Sequence, residues 1–194
     1  MTDTAVQRLR DAVDRTAEAT RGRTATGRGA GQADDDAGTF ATDGALGFDP
    51  FPLLRALHAA GSRAVVVGQV AGILHGSAEL TGDLDLLWDG SATEAEALRA
   101  ALTAAGCTDL PDLDRPQAAY VAVGAGGDLC TPDLPWGGLD TAGFLDRALT
   151  AADGPDLTVH YLTLDDLVRM RRAIGRPKDH RRADELERLR GARP

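Results

Sequence analysis

The stretch VVVGQVAGILHGSAELTGDLDLL, Val65 to Leu87, holds an apolar strand, a glycine break, a short helix and an acidic strand in direct succession. Ala64 to Val67 is too continuously apolar to be amphipathic and reads as a buried strand. It ends at Gly68, and the spacing of Val70 to Leu74 predicts a short helix stopped at Gly76. Leu84, Leu86 and Trp88 then alternate with Asp83, Asp85 and Asp89, which is a half-buried strand with an acidic face. Residues two apart on a strand share a face, so Asp83 and Asp85 present two carboxylates side by side. Such a pair is unfavourable unless water or a cation lies between, and oxygen-only ligation suits Mg²⁺. A glycine at the strand end lets phosphate approach the backbone, and the helix start supplies free N–H groups and positive dipole. Together these parts predict a seat for a metal–triphosphate.

Working outward, Asp49 as N-cap with Pro50 starts a helix through Leu57 that Gly61 ends. Ser91 and Glu94 have capping-box spacing for a helix to Ala105, and Thr163 with Asp166 opens another to Ile174. Tyr120 to Val123 and Asp128 to Thr131 read as short strands around a glycine-rich turn. Thr141 to Ala151 reads as a helix, Leu157 to Leu162 as a strand, and Pro177 starts a last helix through Leu189. The expected fold is a mixed α/β domain of the α+β type: a small mixed sheet flanked by helices, with C-terminal helices. Residues 1–47 read as a leader. Thr4 to Thr20 has helical spacing, but Arg21 to Gly47 is too poor in apolar side chains to offset chain entropy and is expected to be flexible, with the domain proper in residues 48–194.

The chain has 194 residues, 43% of them hydrophobic and only 4% aromatic, so Leu, Val and Ala carry the packing. No apolar run approaches the ~20 residues needed to cross a bilayer. No apolar stretch follows the charges of MTDTAVQRLRDAVDR, and the two cysteines, Cys107 and Cys130, form no CxxC pair; a cytoplasmic protein with free thiols is expected. The net charge of −9 excludes a protein that coats nucleic acid. That charge is unevenly spread, with an acidic body and a basic end from Arg169 onward. This is either a self-complementary fold or a cleft with metal at one wall and phosphate at the other.

Val65–Leu87 resembles the signature of the nucleotidyltransferase superfamily that includes DNA polymerase β, in which a strand ending in glycine leads through a short helix to Asp-x-Asp. Ala71 and His75-Gly76 are similar to the bacterial AbiEii-like and related minimal members. Gly127-Asp128-Leu129 resembles the element carrying their third carboxylate. Asp166-Leu167 and Gly175-Arg176-Pro177-Lys178-Asp179 resemble their tail, so that the likeness runs from Phe51 to Leu189. The resemblance implies transfer of a nucleoside monophosphate from an NTP to a hydroxyl. Asp83, Asp85 and Asp128 would be the catalytic and metal-holding residues for two Mg²⁺ ions, and Asp128 would also deprotonate the acceptor. Gly68, Gln69, Thr81 and Lys178 would bind the nucleotide. The acceptor is a tRNA end, a protein or a small molecule, and a toxin–antitoxin role with a partner protein from a neighbouring gene is part of the expectation.

Two positions depart from the pattern. Gln69 stands where a small residue is usual and would sit in the path of phosphate, and Glu79 replaces a base. They favour the rival expectation, a catalytically silent binding or regulatory module. Elsewhere, His75 reads as a hydrogen-bonded packing residue, and His58, His160 and His180 lack zinc-ligand spacing. Arg176 is expected to pair with an acid of its own helix. Trp136 is a loop anchor or the edge of a cleft. The cluster Arg169, Arg171, Arg172, Arg181 and Arg182 is a solvated face or, less simply, a patch for an RNA end.

Overall fold

A computed structural model describes residues 4–191. Among the described residues, seven α-helices and a six-stranded mixed sheet form one α/β unit, ending in two C-terminal helices. The strands are β1 (Val65–Val66), β2 (Leu86–Leu87), β3 (Gln117–Ala122), β4 (Ala125–Cys130), β5 (Leu149–Ala152) and β6 (Thr158–Tyr161), in the spatial order β3-β4-β2-β1-β6-β5. β1 pairs antiparallel with β2 and parallel with β6, and β2 pairs parallel with β4. The central ladders are short because chain direction changes at once. Val67 N still donates to Asp85 O at 3.0 Å and Leu84 N to Gly126 O at 2.9 Å, so pairing extends back from β2 through Asp85 to Leu84.

The helices are α1 (Ala5–Ala19), α2 (Phe51–Ala59), α3 (Gly68–Leu74), α4 (Ala92–Ala104), α5 (Ala142–Asp146), α6 (Leu164–Ile174) and α7 (Pro177–Gly191). Ser91 and Thr163 cap as expected, their side chains accepting from Glu94 N and Asp166 N. The reciprocal half of each capping box is not made: the Glu94 carboxylate accepts from Ser62 Oγ, Arg63 N and Ala64 N, and that of Asp166 from Arg147 and Arg169. The N-cap of α2 is Pro50, one residue later than expected, while the Asp49 carboxylate still accepts from Phe51 N at 3.0 Å. The core lies under the sheet centre, where Leu84, Leu86 and Trp88 are fully buried. Among the described residues no helix is long and apolar enough to cross a membrane.

Two expectations are corrected. The helix expected from Thr141 to Ala151 stops at Asp146, and Leu149–Ala152 becomes edge strand β5. Its backbone pairs with the otherwise free edge of β6, from Leu149 opposite Tyr161 to Ala152 opposite Thr158, and this pairing outweighs the helical propensity of Leu and Ala. Nor do the described residues of the expected 1–47 leader, 4–47, stand detached. α1 buries Val6, Leu9 and Ala12 against α3, and Arg8 donates to Leu74 O at 2.7 and 3.1 Å. The following segment folds through three 3₁₀ turns, Ala30–Gln32, Thr39–Ala41 and Asp43–Ala45, held by polar contacts rather than apolar burial. Asp43 accepts from Thr26 N and Gly27 N, Arg23 donates to Phe40 O and Thr42 O, and Arg181 of α7 donates to Asp35 O and Asp36 O. An entropy argument that counts only apolar side chains misses this cross-linking.

Candidate active site

The chain leaves β1 through Gly68, whose φ of +62° is left-handed. A Cβ there would overlap Asp85 Oδ2, so glycine is required both by the turn and by the carboxylate packed on it. Asp83 and Asp85 flank the buried Leu84 and share the opposite face of the strand. Leu86 lies beside Leu129 in the parallel β2–β4 ladder, and one residue back this register sets Asp85 beside Asp128. Asp128 N donates to Asp85 Oδ1 at 3.2 Å. Three carboxylates from two adjacent strands therefore line one cavity of about 590 Å³.

The opposite wall comes from α6 and α7. Arg171, Arg176, Lys178 and Arg182 line the same cavity, with Asp179 among them. Arg176 pairs with Asp179 at 2.6 Å, as expected of it. Arg171 and Arg182 are buried rather than on a solvated face, which corrects the reading of that cluster. Arg171 donates to Gly68 O and to Gln69 Oε1, both at 2.9 Å, and so ties α6 to the glycine turn. Its Nε and Arg182 Nη2 are buried without a hydrogen-bond partner among the described residues. Lys178 is buried beside them.

Like charges crowd within each wall. Burial, then the Asp83 and Asp128 carboxylates, push the Asp85 carboxyl well above its ordinary range. Burial raises Asp128 as well; the Gln117 amide opposes this and Asp83 adds to it. The Cys130 thiol, on the same wall, is pushed up to about 12 by burial and by Asp85 and Asp128, so it stays protonated. Across the cavity, burial and then Arg176 and Arg182 push the Lys178 ammonium down. One wall is carboxylate-rich; the other is net cationic, with Asp179 paired to Arg176 and Arg171 and Glu79 paired to Arg182 as partial offsets. The donor set of the first, three carboxylates and no sulfur or imidazole, fits a hard divalent cation such as Mg²⁺. The three are not drawn into a closed cage: among the described residues no group of His, Cys, Asp or Glu stands ready-made around a metal position.

Of the residues singled out from sequence, Gly68, Gln69, Asp83, Asp85, Asp128 and Lys178 all line this cavity. Two roles change. Gln69 does not block the approach to Gly68, because its amide donates to Ser77 Oγ and Glu79 O and accepts from Arg171. Thr81 is fully buried and is absent from the cavity wall; its hydroxyl donates to Asp83 Oδ1 at 2.6 Å, so it positions a carboxylate instead of touching ligand. Glu79 is also off the wall, bound to Arg182 at 2.6 Å and Arg181 at 3.1 Å. Burial works to raise its carboxyl, but the hydrogen bonds from Arg182 and Arg181 outweigh burial and hold it below the usual range.

Sequence reasoning missed Thr39. Its hydroxyl donates to Asp83 Oδ1 at 2.7 Å and accepts from Gly82 N at 3.2 Å, and with Ala30, Gly31 and Ala33 it brings the N-terminal segment to the cavity. A threonine in a glycine-rich stretch gives no signal of this. Comparison with known proteins finds no matching family model and no matching curated protein.

Proposed function

We propose that this chain is a metal-dependent nucleotidyltransferase that moves a nucleoside monophosphate from an NTP to a hydroxyl acceptor. The observation that carries this reading is one cavity with three carboxylates on one wall and, on the other, a cationic cluster that Asp179 and Glu79 only partly offset and in which Arg171 Nε and Arg182 Nη2 lack partners among the described residues. Asp83, Asp85 and Asp128 would hold Mg²⁺, two ions if the site is fully loaded; the ions supply neutralisation of the phosphates and of the developing charge. The acceptor oxygen bonds to the α-phosphorus while the bond from that phosphorus to the bridging oxygen of pyrophosphate breaks, and pyrophosphate leaves. Asp128 takes the acceptor's proton. Lys178, Arg182 and the donors of Arg171 face the phosphates, and Thr81 and Thr39 hold Asp83 in place.

The rival reading, a catalytically silent binding or regulatory module, leaned on Gln69 and Glu79. The Gln69 amide is held by Ser77, Glu79 and Arg171 and the Glu79 carboxylate by Arg181 and Arg182, which favours the enzyme. The acceptor class (tRNA end, protein or small molecule), the toxin–antitoxin role and its partner protein belong to the same proposal. So does a cytoplasmic site of action, in keeping with two free buried cysteines. Calorimetry with Mg²⁺ and each NTP tests the site. Wild type is expected to bind, and Asp83→Ala/Asp85→Ala to lose Mg²⁺-dependent heat while keeping its circular dichroism. Equal heats from the two proteins would refute the site. Labelled NTP incubated with cell extract then shows which acceptor gains the label.

A further inference from the structure

The cavity has a third wall that the carboxylates and cations do not use. Leu134 and Trp136, from the loop after β4, meet Leu167, Met170 and Ile174 of α6 there. Leu167 and Met170 are sealed in the core, while Leu134, Trp136 and Ile174 are only partly buried and keep apolar surface open. The loop is fixed. Gly137 packs so closely on α6 that a Cβ would collide with the carbonyl of Ala173, and the Trp136 ring nitrogen donates to Thr131 O at 2.9 Å. Trp136 itself has φ +43°, and among the described residues no other non-glycine residue has a positive φ. A bulky residue persists in that conformation only where its surroundings over-determine it, and such residues gather at ligand clamps.

We propose that this wall seats the nucleobase, with Trp136 as the aromatic platform on which it stacks. The inference rests on the nucleotidyltransferase reading and extends it from the phosphates to the base. An NTP has three chemically distinct parts: metal-bound phosphate oxygens, remaining phosphate charge and a flat aromatic ring. The cavity offers a wall for each, and about 590 Å³ lies within the range of sites that enclose ligands of this size. Stacking on an aromatic ring suits every base, so this wall supplies affinity rather than strong choice among the four. A free hydroxyl acceptor with no ring would gain nothing from it.

Intrinsic fluorescence combined with calorimetry tests the proposal, because the chain's other tryptophan, Trp88, is sealed in the core. Mg²⁺ with an NTP is expected to change Trp136 emission, while Mg²⁺ with inorganic tripolyphosphate binds with little change. Trp136→Ala is expected to weaken NTP binding by roughly tenfold or more and to leave tripolyphosphate binding unaltered. Trp136→Phe, which keeps a ring, is expected to stay near wild type and serves as the control for folding of the loop. If Trp136→Ala weakens both ligands equally, or if NTP binds without any emission change, the base does not sit here and the phosphate reading survives. If wild type binds neither ligand, the phosphate reading falls and this inference falls with it.

Discussion

Gly68 and Glu79 show how a single side chain, or its absence, fixes this site. Any Cβ at position 68 meets left-handed backbone strain and the Asp85 carboxylate together. Gly68→Ala is therefore expected to cost about 1–2 kcal/mol for the backbone alone and to abolish Mg²⁺–NTP binding, read by thermal melts and calorimetry. Glu79 neutralises Arg181 and Arg182. Replacing it by Arg would not add useful charge to the phosphate path; it would leave three guanidinium groups facing one another. Glu79→Arg is expected to destabilise the fold by on the order of 2 kcal/mol, and Glu79→Arg/Arg182→Glu to recover most of the loss in urea titrations. The pairing also has a pH signature. Because the folded carboxyl is held below its ordinary value of 4.5, the stability it contributes is present above that value and is lost as pH falls through the lower one. Wild type and Glu79→Gln should therefore differ most near neutral pH and converge in acid; a constant difference would show that the ion pair does not contribute.

Among the elements, the N-terminal segment has the largest consequence for the site. Thr39 and Thr81 saturate Asp83 Oδ1 from two different stretches of chain, so docking of the segment and orientation of the carboxylate are one event. Thr39→Val is expected to speed proteolysis between residues 21 and 47, and Asp83→Ala to do the same, while Thr39→Ser behaves as wild type. Cleavage at equal rates in all four proteins would sever that link. Short-range signals made most other elements legible: the alternation at Leu84, Leu86 and Trp88, the capping serine and threonine, and the glycine at position 68. Asp83 and Asp85 were legible because their spacing is local, whereas Asp128 and Lys178 were indicated through the resemblance of the motifs around them. The segment Arg21–Gly47 was not, because its order comes from arginines and backbone carbonyls far apart in sequence. β5 was missed for a related reason: its pairing is set by the free edge of β6 and not by its own residues.

For the molecule as a unit, α1 is part of the core. Removing residues 1–20 would expose the faces that Val6, Leu9 and Ala12 cover, a loss of roughly 3–6 kcal/mol as an upper estimate, and the truncated chain is expected to unfold at distinctly lower urea. The order of the strands has a consequence of another kind, in time. β1 has its parallel neighbour only after Tyr161 has been made, and the cavity takes side chains from Ala30 through to Arg182. Chains are synthesised from the N-terminus, so the carboxylates emerge first and the cations of α6 and α7 last. A nascent or prematurely stopped chain thus displays acids that repel phosphate and has nothing to retain it. On the proposed reading, a chain stopped before α7 is finished lacks part of the cationic wall and is expected not to retain Mg²⁺–NTP.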